Sequence, residues 1–430
     1  RLKYINNLKN IYPNKSQLYL ESARLSLAIG IKNFVDDYEH YNKLNEIILK
    51  NSGLIKLNIR ILDSYLFTGS FGNSLAVLNI ILANKYNLTS GYKLCVFLNK
   101  KEKLTNKALF EYFADDLNVV YDDKKSSSFV NNKYLELPVG TCLPLKNSCP
   151  ALYFGTNIIN QINKKNSRFY DYFKIKEHHY KYGRKILKEF NLPNNAWYVS
   201  VHIREGSLND KESYRNSSIK NFYKSIKHIT DQGGYVFRVG DSSMTPFPKM
   251  KNVIDYAHSN KKSEIMDIFL GATSKFLIGT ASGFWPVCSM FKVPVILTNT
   301  TQTSIYYALS ANDIFLPKKV FKINSNGVEK ILKLRELMKL PISTMYSNKA
   351  SEYFNQKKLI YKDNNEEEIL VATELMLNFI SKKFRNIKRS RIDRISNKIL
   401  QECSKSHSKA KLKALARIPS KFFKLNPDLL

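Results

Sequence analysis

The stretch Ile278-Gly279-Thr280-Ala281-Ser282-Gly283 joins a predicted apolar strand, Phe276 to Gly279, to a helix predicted from Gly283 to Phe291. Small residues at such a junction leave backbone N–H groups available, and the hydroxyls of Thr280 and Ser282 add hydrogen-bond donors. The combination indicates an anion-binding turn at the start of a helix. It differs from a P-loop, because the pattern GxxxxGK[ST] does not occur in the chain.

The same alternation of strands and helices continues on both sides of this junction. Alternating strands and helices imply a parallel sheet with crossover helices. The sequence therefore predicts an α/β fold with two doubly wound, Rossmann-like halves. The predicted strands cover residues 54–62, 92–98, 117–121, 197–204, 235–239, 253–256, 276–279 and 293–297.

Four segments are predicted along the chain. A helical segment at 1–53 precedes a Rossmann-like acceptor domain at 54–190, and a second Rossmann-like domain follows at 191–381. Residues 382–430 form a basic tail with 15 Lys or Arg against 3 Asp or Glu. Such a tail favours an anionic membrane surface, although nucleic acid or packing against the rest of the chain are alternatives.

Polar side chains at the predicted strand ends are the candidate site residues, because open parallel sheets bind ligands at the carboxyl ends of their strands. The strand at 197–204 ends in His202 and Arg204, followed by Glu205. A guanidinium binds phosphate oxygens in bidentate fashion, so Arg204 is predicted to hold a diphosphate. A structural ion pair is the alternative for Arg204, and a buried core histidine is the alternative for His202.

Two more predicted strand ends contribute candidates, besides the Thr280–Gly283 turn. Asp241 follows Arg238 and Gly240 and is placed to bind a ribose or sugar hydroxyl, or else to cap the next turn. Asp255 ends another strand, and Tyr256 beside it either stacks on a base or packs in the core.

Bulk properties narrow the classes of partner. The net charge of +32 indicates an anionic partner, namely nucleic acid, a membrane surface or a phosphorylated substrate. Five scattered cysteines without CxxC spacing argue against a disulfide framework and a zinc site, and they fit a reducing cytosol. No apolar run approaches the roughly 20 residues needed to cross a bilayer.

The order of motifs resembles an uncharacterised bacterial glycosyltransferase family that is distantly similar to fucosyltransferases of the GT-B fold. The resemblance extends from His202 to Asn299, and its motifs are His202-Ile203-Arg204, Tyr214-Arg215-Asn216, Gly234 through Asp241, Ile254 through Ala257, Ser263 with Asp267, Gly279 through Gly283, Pro294 and Asn299.

The resemblance implies a GT-B-like arrangement of two Rossmann-like domains facing across a cleft. It implies that Arg204 holds the donor diphosphate and that Ser282 hydrogen-bonds a phosphate, with Asp267 preceding that loop. On this resemblance, the Thr280–Gly283 turn and Arg215 or Arg238 would join Arg204 in neutralising the leaving nucleoside diphosphate. The fucosyltransferase run of adjacent serines is Thr-Ala-Ser here, so fucose is not implied as the transferred sugar.

The predicted function is transfer of a sugar from a nucleoside-diphosphate sugar to a cell-surface glycan or lipid-linked acceptor, as in bacterial polysaccharide biosynthesis. The catalytic candidates are Arg204, Glu205, His202 and Asp241. No metal and no cofactor besides the nucleotide-sugar co-substrate are expected, because the chain has no Asp-x-Asp triplet. The predicted location is cytoplasmic, on the inner membrane face.

Rival functions remain open at this level. A basic RNA-binding protein without catalysis is the main alternative, although no RNP or helix-turn-helix pattern occurs and specific nucleic-acid binding is not expected. A catalytically inactive carbohydrate-binding protein and a sulfotransferase are the others. A sulfotransferase needs a phosphate-binding loop after its first strand, and the Thr68-Gly69-Ser70 region has a partial match to such a loop. The alternative for Gly72-Asn73 is a tight turn near the acceptor cleft.

Overall fold

The structure is a computed structural model. It describes residues 1–28, 34–89, 91–121, 133–137, 157, 173–206, 213–341, 349–382, 389–406 and 412–430. The chain divides into two compact units, of which the first comprises Arg1–Lys165 with Ser404–Leu412 and the second comprises Asn166–Cys403 with Lys413–Leu430.

The first unit begins with helices and continues as a parallel α/β sheet. Its described strands follow the order β3-β2-β1-β4, and each adjacent pair is parallel. The helix α5 lies in the core, because its sequence is apolar on all sides and every residue from Ser74 to Ala83 is buried. The elements are α1 Leu2–Ile11, α2 Ser16–Ala28, α3 Phe34–Asn51, β1 Ile59–Leu62, α4 Tyr65–Thr68, α5 Ser74–Lys85, β2 Lys93–Leu98, α6 Lys107–Phe110, β3 Asn118–Tyr121 and β4 Glu136–Leu137.

The second unit is built on a larger parallel sheet. Its described strands follow the order β10-β9-β8-β5-β6-β7, which is the 3-2-1-4-5-6 order of a doubly wound fold read from the other edge. Its elements up to this sheet's last strand are α7 Glu177–Glu189, β5 Tyr198–His202, α8 Tyr223–Asp231, β6 Tyr235–Arg238, β7 Val253–Ile254, α9 Glu264–Thr273, β8 Leu277–Thr280, α10 Phe284–Met290, β9 Val295–Thr300 and β10 Ile314–Pro317.

The central strands of this sheet are buried along their whole length. Every residue of β5, β8 and β9 is buried, on both faces of the sheet. Parallel strands covered on both sides have this pattern, since their crossover helices pack on both faces. The predicted α/β fold class with parallel sheets is confirmed.

Helix α7 packs against α9 at very short range. A Cβ added at Gly183 would lie 2.1 Å from the ring of Phe269, so only glycine allows this approach. This contact lies within the second unit, which begins at Asn166.

An antiparallel sheet and a set of helices complete the second unit. The sheet has the order β12-β11-β13 and was not predicted from the sequence. The remaining elements are β11 Lys319–Ile323, β12 Glu329–Ile331, α11 Leu334–Leu337, α12 Lys349–Lys357, β13 Leu359–Lys362, α13 Glu366–Ser381, α14 Arg391–Cys403 and α15 Ser420–Leu425.

The described tail residues 389–403 and 413–430 belong to the second unit. The hydroxyl of Tyr307 donates to Leu400 O at 2.7 Å, and that of Tyr306 donates to Ala416 O at 2.8 Å. Phe422 and Phe423 of α15 are buried. Residues 383–388 and 407–411 of the predicted tail lie outside the described residues. Within the described ranges, no helix combines the length and apolar character needed to cross a membrane.

Candidate functional site at the sheet's switch point

The strand order of the large sheet reverses between β5 and β8. These two strands are parallel neighbours, with His202 paired to Gly279, and the connections after them lead to opposite edges of the sheet. A crevice forms outside the carboxyl ends of strands at such a switch point, and ligands of doubly wound folds bind there. The segments 203–205 and 281–283 leave the sheet at this position.

Arg204 is attached to the neighbouring strand and to a following loop. Its backbone N–H donates to Oγ1 of Thr280 at 2.9 Å, and Thr280 is fully buried. Its guanidinium Nη1 donates to Oδ1 of Asn216, and its carbonyl accepts from the backbone N–H of Ser217 at 3.0 Å. These bonds hold the backbone of Arg204 at the switch point.

Arg215 approaches the same turn from the other side. Its Nη2 donates to the carbonyl of Ala281 at 2.8 Å. Within the turn, Oγ of Ser282 lies 3.5 Å from the N–H of Phe284, at the long limit for a hydrogen bond, and Gly283 immediately precedes α10. Two arginines from separate segments are therefore both hydrogen-bonded to the 280–283 turn, which the sequence had marked as an anion site.

Arg238 organises the site from inside the core. Its side chain is fully buried, and Nη2 donates to Glu205 Oε2 at 3.0 Å and to the carbonyl of Thr245 at 3.1 Å. Its Nη1 lies 3.5 Å from Asp255 Oδ1. Glu205 also accepts from the N–H of Thr245 at 3.0 Å. Since the guanidinium is enclosed by two carboxylates, the structure favours a supporting role for Arg238 over contact with a ligand.

His202 is neutral and enclosed. Burial, and then the positive charge of Arg238, lower the pKa of His202 to about 4. Its ring stacks on Phe284, with centroids 6.2 Å apart. The imidazole therefore carries no charge near neutral pH. A neutral ring also agrees with the alternative that His202 is a buried core histidine.

The two acidic candidates beyond β6 and β7 differ in exposure. Asp241 is exposed and its carboxylate accepts from the N–H of Ser243 at 2.9 Å, which is the main reason why its pKa is lowered. Asp255 accepts from the N–H of Phe247 at 2.8 Å and pairs with Nδ1 of His258 at 2.8 Å. Asp241 thus presents a charged carboxylate to solvent, whereas Asp255 fastens the loop after β6.

Tyr256 precedes α9, and Asp267 lies in the first turn of that helix. Tyr256 is fully buried, and its hydroxyl donates to Ser263 O at 3.1 Å and accepts from Ser263 N at 3.0 Å. Burial raises the pKa of Tyr256 and that of Asp267, and Lys262 lies 3.3 Å from the Asp267 carboxylate. Tyr256 therefore packs in the core and does not present its ring for stacking on a base.

Sequence reasoning missed Lys318 and Asp363, which form an ion pair of 2.9 Å beside the site. Lys318 directly follows β10, whose residues were not assigned to a strand. The apolar run Ile314–Leu316 before a Lys-Lys pair is a signal that would have placed Lys318 at a carboxyl end. Nothing near Asp363 in the sequence marks its partner.

Comparisons with known proteins give a distant structural likeness. No protein-family model and no curated protein matches the sequence. A glycosyl transferase family 9 structure from Veillonella parvula DSM 2008 is similar at 12% identity and a TM-score of 0.42, covering 75% of this chain and 98% of that chain. The iron-containing dodecameric glycosyltransferase TibC from enterotoxigenic E. coli H10407 is similar at 11% identity and a TM-score of 0.39, covering 76% of each chain. Both proteins are described as glycosyltransferases and neither as a fucosyltransferase.

The expectation of no cofactor and no metal is corrected, because the chain offers possible metal ligands. His178 and His179 are adjacent at the start of α7, and their ring centroids lie 4.2 Å apart. Imidazole nitrogens suit iron and zinc, so the donor types fit such an ion. The missing Asp-x-Asp triplet was an insufficient reason to exclude a metal, because histidines bind metals in other patterns.

Proposed function

We propose that this protein is a glycosyltransferase that uses a nucleoside-diphosphate sugar, with the donor diphosphate bound at the switch point of the second unit. One observation carries the proposal: the backbone N–H of Arg204 donates to Thr280 at the end of β8, and the Arg215 guanidinium donates to Ala281 in the turn that follows, at the position where doubly wound sheets bind ligands. Guanidinium groups and small hydroxyl-bearing residues together are the donors that a diphosphate requires.

The chemistry of sugar transfer explains why positive charge belongs at this position. As the bond between the sugar and the nucleoside diphosphate breaks, negative charge grows on the leaving diphosphate. Donors that are already oriented stabilise this charge without reorganisation, which is usually the largest contribution to catalysis. Arg204 and Arg215 are held by bonds to Asn216 and Ala281, so their guanidinium groups are oriented before a donor binds.

Asp241 is the proposed group that receives the proton of the acceptor hydroxyl, if the reaction inverts the sugar. Glu205 is occupied by Arg238 and by the N–H of Thr245, and His202 is enclosed and weakly basic. Asp241 is exposed and its lowered pKa keeps it ionised at neutral pH. The substitution Asp241→Asn is expected to lower turnover strongly while leaving the affinity for the nucleoside diphosphate nearly unchanged.

The proposed acceptor is a cell-surface glycan or a lipid-linked sugar, and the first unit is proposed to bind it. After β1 and α4, the short turn Phe71–Asn73 leads into α5, and Ser70 Oγ accepts from the N–H of Gly72 at 3.3 Å. Beside this turn is a cavity with room for about one water molecule, lined by Phe67, Phe110 and Phe113 together with Ser70 and Ser74. These rings and hydroxyls are the proposed contacts for an acceptor with polar and apolar faces.

A thermal-shift screen against nucleoside diphosphates and nucleotide sugars tests the donor site. The panel includes uridine, guanosine, adenosine and cytidine diphosphates and their common sugar conjugates, GDP-fucose among them. A ligand at 100 times its dissociation constant stabilises a protein by about 2.7 kcal/mol, which is a readable shift. We expect one base to stabilise the native protein and Arg204→Ala to abolish the effect.

Arg335→Ala is the matched control. Arg335 lies on the same unit and pairs with Glu402 on the surface at 2.6 Å, so its loss changes net charge equally without touching the switch point. This variant should respond to the nucleotide like the native protein. A native protein that ignores the whole panel but binds RNA selectively would support the rival RNA-binding function. Weak RNA binding that merely falls with salt is expected of any chain with a charge of +32.

The basic tail is proposed to contact an anionic membrane surface through α14. Arg391, Arg394, Ile395 and Lys398 are exposed and have helical spacing, so they lie on one face. Basic residues at an anionic leaflet contribute about 1 kcal/mol each. Such contact would place the protein at the inner membrane face, where a lipid-linked acceptor is found.

Flotation with vesicles of phosphatidylcholine alone or with added phosphatidylserine tests this contact. Reversal of Arg391, Arg394 and Lys398 to Glu should abolish flotation with anionic vesicles. The control reverses Lys181, Lys185 and Lys188, which are exposed on α7 and change the net charge by the same amount. Equal loss in both variants would mean that total charge, and not the α14 face, determines binding.

A further inference from the structure

Lys318 is a buried lysine whose ammonium group has three acceptors. Its Nζ donates to the carbonyls of Tyr214 at 3.0 Å and Asn216 at 2.7 Å, and it pairs with Asp363 Oδ1 at 2.9 Å. An ammonium group has three N–H donors, so each of them has an acceptor here. The backbone N–H of Lys318 also donates to Thr300 O at 3.0 Å, which fixes the residue at the carboxyl edge of the sheet.

The two carbonyls held by Lys318 flank Arg215. The segment that they belong to supports both arginines of the candidate site, since Asn216 accepts from the Arg204 guanidinium and Arg215 donates to Ala281. Asp363 fastens the far end of the same segment, because its Oδ2 accepts from the N–H of Ser218 at 3.1 Å. The Lys318–Asp363 pair thus holds residues 214–218 at both ends.

A purely structural ion pair would be independent of the site, and the next residue provides an example. Lys319 is also buried and pairs with Glu368 at 2.5 Å. The Glu368 carboxylate accepts from the backbone N–H of Asn365, the N-cap of α13, at 3.1 Å and from Asn426, so this pair fixes the start of α13. The two lysines are adjacent in sequence and similar in burial, and they differ in what their ammonium groups hold.

We propose that Lys318 is a positioning residue of the diphosphate site, which with Asp363 fixes the 214–218 segment so that Arg204 and Arg215 meet the same phosphate group. This inference rests on the proposed function of the switch point. Lys318 does not itself touch the ligand; it acts through the backbone carbonyls of Tyr214 and Asn216.

The test compares Lys318→Met with Lys319→Met, using the nucleoside diphosphate that stabilises the native protein in the panel. Methionine keeps the length of the side chain and removes its charge and donors. We expect Lys318→Met to weaken diphosphate affinity at least tenfold, whereas Lys319→Met changes it less than twofold even where its melting temperature falls as far. Backbone amide exchange at Ser217 and Ser218 should accelerate in Lys318→Met only.

A coupling measurement separates positioning from general destabilisation. If Lys318 acts through the segment, Lys318→Met should cost little further affinity in a chain that already carries Asn216→Ala and Arg215→Ala. Equal affinities of native protein and Lys318→Met would overturn the positioning role and leave the diphosphate site intact. A native protein that binds no nucleotide in the panel would overturn the proposed function, and the positioning role with it. Equal affinities can be observed only if the native protein binds a nucleotide. Failure of the positioning role is therefore distinguishable from failure of the proposed function.

Discussion

The backbone N–H of Arg204 donates to the side-chain hydroxyl of Thr280 across 2.9 Å, and this bond joins the ends of β5 and β8. The two strands are neighbours at the switch point of the sheet. The hydroxyl thus satisfies a backbone donor that has just left the strand, and it holds the main chain of Arg204 against the turn at 280–283. The backbone of Arg204 is therefore positioned by Thr280, the last residue of β8.

Removal of this acceptor is expected to affect both stability and binding. Thr280→Val keeps the shape of the side chain but leaves the Arg204 N–H without its hydroxyl, which costs about 1–3 kcal/mol of unfolding free energy. Diphosphate affinity should fall as well, because Arg204 loses its anchor. Urea denaturation and titration calorimetry measure the two effects.

Thr298→Val is the control for that variant. Thr298 is equally buried on the neighbouring strand β9, and its hydroxyl donates to Gly279 O at 3.2 Å. Its loss should lower stability without lowering diphosphate affinity. A Thr280→Val protein with native affinity would show that the Arg204 guanidinium is positioned by Asn216 alone.

Arg238 is expected to be the site's largest single contributor to stability. Arg238→Met leaves the carboxylates of Glu205 and Asp255 beside a cavity without their cation, and breaking a buried pair in this way costs about 3–5 kcal/mol. Chemical denaturation measures the loss. The triple variant that adds Glu205→Gln and Asp255→Asn removes the uncompensated charges, and it should recover part of the stability. No recovery would mean that packing of the Arg238 side chain, rather than its charge, accounts for the loss.

Sequence patterns located most strands of the two parallel sheets, although not β4 and β10, and they did not show how polar groups pair between the strands. Apolar runs bounded by Gly and Pro predicted β5, β6, β8 and β9 to within about three residues, because burial on both faces makes such strands apolar throughout. The candidates at their ends therefore lie at one edge, as predicted. The apolar pattern predicts where each strand ends, and the parallel arrangement brings those ends to the same edge of the sheet.

The roles of individual charged residues required the tertiary structure. Nothing in the sequence around Arg238 shows that it turns inward to Glu205 and Asp255. Ser218 and Asp363 meet although they are 145 residues apart, so no local pattern could pair them. The antiparallel sheet was missed for a related reason: β11 reads Lys-Val-Phe-Lys-Ile, and its lysines are not typical of a buried strand, yet Lys319 is buried in an ion pair.

The stability of the protein is expected to depend on the protonation of His202. The pKa of His202 is lowered to about 4 in the folded chain, and an unfolded histidine titrates near about 6.5. Between these pH values the unfolded state binds a proton that the folded state does not. The free energy of unfolding therefore falls as the pH falls from about 6.5 to about 4, by up to about 1.4 kcal/mol per pH unit, and the contribution is fully present above about 6.5.

Denaturation curves of the native protein and His202→Gln over this pH range measure the effect. Asp313 works in the opposite direction, since burial raises its pKa to about 6 and the folded state then binds the extra proton between about 4 and 6. Because Asp313 is present in both proteins, the difference between their curves isolates His202. A difference that does not change with pH would show that His202 titrates normally in the folded chain.

The contact between Gly183 and Phe269 predicts an inverted effect of a glycine-to-alanine substitution. In an open helix this change stabilises by about 1 kcal/mol. At Gly183 the new Cβ would lie 2.1 Å from the Phe269 ring, so α7 and α9 must separate, and such overpacking costs about 1–3 kcal/mol. Gly271→Ala in α9 is the comparison, because its Cβ would lie 3.1 Å from Val287 Cγ1, a methyl group that can move slightly.

We expect denaturation midpoints to fall for Gly183→Ala, to change little for Gly271→Ala, and to recover when Phe269→Leu is added to the first variant. A Gly183→Ala protein as stable as the native chain would mean that α7 does not pack on α9 at this distance in solution.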